Sequence, residues 1–82
     1  MSRLADAAYE WLKDNAPSRR VPSRELWDGL RLAHPELTAS SEARKTPYNT
    51  LMRDIRFDGK KRFIVGGGFV ALATQHQGAE GR

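Results

Sequence analysis

The chain has 82 residues, 39% of them hydrophobic and 29% charged, a make-up that fits one small folded domain and excludes a disordered or membrane-embedded class. With no cysteine there is no disulfide framework or thiolate metal site, and the two histidines, His34 and His76, are too few for most metal constellations. The net charge is +4 and the pI about 10.0, with the whole excess in one half: residues 1–40 hold six basic and six acidic residues, residues 41–82 eight and four. One end of the molecule is therefore suited to an anion.

In chain order, Leu4, Ala7, Ala8, Trp11 and Leu12 recur at helical spacing, with Asp6, Glu10, Lys13 and Asp14 outside the stripe. This predicts a first helix with Ser2 as N-cap, the sequence NAP as its stop, and Trp11 in the core. No apolar run here resembles a signal peptide, and none elsewhere approaches the roughly 20 residues of a membrane span, so neither export nor insertion is expected. Val21, framed by Pro17 and Pro22, reads as a short extended piece.

Ser23 is placed to cap a second helix, SRELWDGLRLAH, with an apolar stripe of Leu26, Trp27, Leu30 and Ala33 that Pro35 ends, leaving His34 near the last carbonyls. Gly29 lowers its helix preference by about 1 kcal/mol relative to alanine. The polar stretch PELTASSEARK reads as a connector with room for one helical turn. Thr46 as N-cap and Pro47 at the first helical position then start a third helix, since proline's missing N–H is not needed there. Tyr48, Leu51, Met52 and Ile55 share its apolar face; Asn49, Thr50, Arg53 and Arg56 lie opposite.

The segment FIVGGGFVAL poses a choice between a phosphate-binding glycine loop and a tight turn. A phosphate loop leads into a helix N-terminus and, in the P-loop form, needs a lysine and a Ser/Thr after the last glycine; here Phe69 and Val70 follow. Glycines that supply positive φ at a β-hairpin turn are the consistent reading, with Phe63, Val65, Val70 and Leu72 on one face. Residues 74–82 read as a disordered tail, leaving one domain over residues 1–73. No serine, histidine and acid are spaced for catalysis, so the chain is not read as an enzyme and no cofactor or metal is expected. Phe57 and Phe69 have no assigned place in the core; exposed, they would mark a partner surface.

Helix, extended piece, helix, connector, helix and terminal hairpin is the element order of an α+β winged helix-turn-helix. The segments LADAAYEWLKDN, KTPYNTLMRDIRFDGKKRFI and GGGFVAL resemble the HARE helix-turn-helix family, related to the N-terminal domain of the delta subunit of bacterial RNA polymerase. The likeness spans roughly residues 4–72 and is most specific at Lys45, Thr46 and Pro47, at Leu51, Arg53 and Asp54, and at Phe63, Gly68 and Leu72. It implies a DNA-binding or transcription-associated adaptor.

The expected partner is double-stranded DNA, met by the third helix and the wing, in transcription regulation or genome defence within the cytoplasm or at the nucleoid. Asn49, Thr50, Arg53 and Arg56 are the candidates for the major groove, because arginine and asparagine match guanine and adenine edges. Arg44, Lys45 and Thr46 before the helix, and Lys60, Lys61 and Arg62 before the wing, are the candidates for phosphates. The alternative is a protein-interaction module docking the same basic face on RNA polymerase, a nuclease or another host factor.

Overall fold

The structure is a computed structural model that describes residues 3–39 and 47–73. Its elements in chain order are α1 (Arg3–Asn15), β1 (Val21–Pro22), α2 (Ser23–Ala33), the single turn α3 (Pro35–Thr38), α4 (Pro47–Arg56), β2 (Phe63–Gly66) and β3 (Phe69–Leu72). The third helix expected from sequence is α4. Three main helices followed by a hairpin, with the strands in one antiparallel sheet of order β1-β3-β2, make the fold an α+β winged helix-turn-helix. The caps expected at Ser2 and Thr46 and the tail at 74–82 lie outside the described residues.

The largest fully buried side chains are Leu12, Val21, Leu26, Leu30, Leu51 and Val70, drawn from α1, β1, α2, α4 and β3. Burying each such side chain stabilises the fold by about 1.5–3 kcal/mol. Because every major element contributes, the same contacts that hold the molecule together fix α4 relative to the hairpin. Trp27 is buried on α2 and meets Tyr48 of α4 edge-on, with ring centroids 5.8 Å apart.

Trp11 packs against the core as expected, at its edge. It is half-buried, and its ring lies across Gly29 of α2 so closely that a Cβ on Gly29 would overlap the indole. The glycine that weakens α2 as an isolated helix is thus the one that lets α1 approach it. Ala33, expected in the stripe, is exposed at the end of α2.

Ser23 also differs from expectation. Pro22 occupies the cap position of α2 with no side-chain cap bond. Ser23, the first helical residue, donates from both its backbone N–H and its hydroxyl to the Gly68 carbonyl, at 2.9 and 3.1 Å. Its hydroxyl is diverted because β1 pairs with β3, Val21 opposite Val70 and Pro22 opposite Phe69, which brings the wing tip to the start of α2. The polar connector does hold one helical turn, α3, whose buried Thr38 donates its hydroxyl to the His34 carbonyl at 3.0 Å. His34 sits at the end of α2 as expected, its N–H bonded to the Leu30 carbonyl.

In the hairpin, Phe63 lies opposite Leu72 and Val65 opposite Val70, so the four side chains share the face read from the sequence. The Gly66–Phe69 pair leaves Gly67 and Gly68 as a two-residue turn with φ of +61° and +82°. Both signs are those of a type I′ turn, whose twist matches the flanking strands.

Candidate nucleic-acid interface

Two sides of α4 define the surface of interest. Its buried residues Leu51 and Ile55 anchor it, while Asn49, Arg53 and Arg56 are exposed and Thr50 is half-buried at its edge. A groove of about 480 Å³ separates this helix from the wing, with Asn49, Arg53 and Arg56 on one wall and Val65 and the Gly66, Gly67 and Gly68 tip on the other. The wing wall carries no side chain at its tip. A nucleic-acid backbone could therefore approach the hairpin main chain closely, a feature that glycine permits and other residues obstruct.

The opposite side of α4 opens on a second concavity of about 610 Å³, bordered by Asp6, Asp54, Phe57, Asp58 and Lys60. Arg53 lines both hollows, so α4 stands between them as a ridge. Lys60 and Lys61 are exposed on the turn between α4 and β2, which Lys61 enters with φ of +54°. Its N–H bonds the Asp58 carbonyl at 3.1 Å, which closes the turn.

Of the described residues expected to hold phosphates, Arg62 is the one turned inward. Asp58 takes three donors from it: the backbone N–H at 3.0 Å and Nε at 2.9 Å on Oδ2, and Nη2 at 3.0 Å on Oδ1. Nη2 also reaches Asp6 of α1 at 3.0 Å. The guanidinium lies 5.0 Å from the Tyr9 ring and 5.6 Å from that of Phe63, which themselves meet edge-on. With its side chain only 16% exposed, Arg62 is a clamp between α1, the turn and the wing. The hydrogen bonds from Arg62 outweigh the opposing effect of burial and hold the Asp58 carboxyl down to about 2, and the same pairing raises the Arg62 guanidinium.

Arg53 reaches Asp54 at 3.5 Å, a long contact on an arginine 59% exposed, and an ion pair of that kind is worth well under 1 kcal/mol. A ligand can take Arg53 from it. Arg44, Lys45 and Thr46 lie outside the described residues. The structure thus brings Asn49, Arg53 and Arg56 together along one groove, sets Lys60 and Lys61 at the far end of the ridge, and withdraws Arg62.

Two cations missed in the sequence reading lie over aromatic rings next to the groove. Arg20 lies over the Phe69 ring at 5.5 Å and Arg24 over the Tyr48 ring at 5.3 Å. They fall in the half of the chain whose charges balance, so a tally by halves hides them. No local signal marks them, because their ring partners, one on the wing and one at the start of α4, are brought to them by tertiary contact.

The fold is a winged helix-turn-helix with exposed arginines along one side of α4. Neither a protein-family model, nor a curated protein, nor a solved structure matches the chain.

Proposed function

We propose that this winged-helix protein binds double-stranded DNA through α4 and the β2–β3 wing, as a regulator of transcription or a component of genome defence. The observation that carries the reading is the exposure of Asn49, Arg53 and Arg56 along one groove with the glycine wing as its far wall. On this reading Asn49, Thr50, Arg53 and Arg56 meet base edges, and Lys60 and Lys61 meet phosphates. The resemblance of the Lys45–Thr46–Pro47 start and the GGGFVAL wing to the HARE helix-turn-helix family supports the same assignment and leaves its target open. A single domain of this size offers few base contacts, so sequence preference should be modest.

The test is amide chemical-shift titration with a mixed duplex of about 15 base pairs, paired with binding curves across a salt series. Shifts centred on residues 47–56 and 60–68, together with a log–log salt slope of about −4 from four to five phosphate contacts, are the expected result. Affinity independent of salt, or flat spectra at low salt, would overturn it.

A second reading is favoured by one observation: Phe57 is 75% exposed beside the Lys60 and Lys61 turn. Aromatic anchors ringed by charge serve protein interfaces more often than duplex contacts. On this reading the basic face docks on an acidic surface of a polymerase, nuclease or other host factor. Phe57→Ala separates the two: it leaves duplex affinity unchanged if DNA is the ligand and abolishes capture of an acidic partner if protein is.

A further inference from the structure

We infer that Arg20 and Arg24, stacked on Phe69 and Tyr48, form a second phosphate-binding rail on the wing side of α4, opposite Lys60 and Lys61, so that the duplex is gripped by both strands. The inference rests on the DNA-binding reading and adds residues and a geometry to it.

Four observations carry it. Both arginines are exposed, and among the described residues neither is paired with a carboxylate, whereas their neighbour Arg19 is engaged by Glu25 at 2.9 Å. Each guanidinium rests on an aromatic ring belonging to the groove region: Tyr48 lines the groove, and Phe69 directly follows Gly68, which also lines it. An arginine already ordered on a ring loses less freedom on binding than a lysine in solvent, and it offers two parallel donors to a phosphate.

The third observation is the helix position of Arg24. It is the second residue of α2, at the positive end of the helix dipole, where stability favours an acid over a base. A bound phosphate reverses that penalty. The fourth is placement: Arg53 lines both hollows beside α4, with Lys60 on the rim of one and the Tyr48 and Gly68 walls on the other. Cations on the two sides of a helix lying in a major groove face the two sugar–phosphate strands that border it.

The test uses fluorescence anisotropy of the full chain with two unrelated labelled duplexes of about 15 base pairs over a salt series. Arg20→Gln combined with Arg24→Gln is expected to weaken binding about 10- to 30-fold at low salt, equally for both sequences, and to reduce the salt slope by about 1.8. Arg20→Lys with Arg24→Lys keeps both charges and should keep the slope while losing a few-fold in affinity. Lys60→Gln with Lys61→Gln should reproduce the slope reduction from the other side. A glutamine pair with wild-type affinity and slope, or a lysine pair that loses the slope, overturns the rail and leaves the DNA-binding reading intact. Wild-type protein that binds neither duplex overturns both.

Discussion

Arg62 joins Asp58, four positions before it, to Asp6, 56 positions away, and the pairing makes its fate calculable. Removing one partner of a partly buried ion pair leaves the other charge under-compensated, so Arg62→Gln should cost about 1–3 kcal/mol, measured by thermal or urea unfolding. The pH dependence has a definite sign. Asp58 is held below its ordinary carboxylate value, so its contribution is complete above pH 3.8 and drains away as pH falls towards about 2. The wild type should lose stability across that window more steeply than the variant, and parallel curves would refute the clamp. Gly29 gives a second case, because its missing Cβ is occupied by the Trp11 ring. Gly29→Ala should destabilise by about 1–2 kcal/mol despite the better helix propensity and should shift Trp11 fluorescence. Neither role was legible in the sequence: a periodicity shows that Arg62 lies near a wing and that Gly29 weakens a helix, but the partners of both arrive through tertiary contact.

At the level of elements, the wing is the most constrained piece. Gly67 has φ of +61° in a two-residue turn, so Gly67→Val should cost about 2 kcal/mol and fray the hairpin, while Gly67→Asn, which creates the favoured Asn-Gly turn, should be neutral or mildly stabilising. Amide exchange across Val65 and Val70 would report both. The main helices and the hairpin were legible because apolar residues recur with the right period and because proline and glycine punctuate their ends. What periodicity could not supply was the sheet. β1 is two residues long, too short for any alternation to register, and only its pairing with β3 explains why Ser23 serves the wing in place of capping its own helix. The site was legible in part for a similar reason: α4 displays its polar face in sequence order, whereas Arg20 and Arg24 join it by stacking on rings from distant elements.

For the whole molecule, the charge asymmetry takes on a shape. The exposed cations of α4 and its flanking turn are joined by two arginines from the balanced half, while Arg62 is subtracted by its internal pairs. Among the described residues no helix is long and apolar enough to cross a membrane. The core is small and shared by five elements, so shaving one shared contact affects all of them: Leu51→Ala, at a fully buried position of α4, should cost about 2–5 kcal/mol and disorder the ridge before it disorders α1, as resolved by amide exchange. The Ser23–Gly68 bond has a further consequence, for the order of events in folding. It joins residues 45 positions apart, and closing so long a loop carries an entropy cost that local helix formation does not. The helices can assemble first, and the β1–β3 seam closes last. Val21→Ala should accordingly speed unfolding while scarcely slowing refolding in stopped-flow experiments. During synthesis, α4 would then leave the ribosome before the hairpin that packs on it, and the wing wall of the groove would form only once β3 had been made.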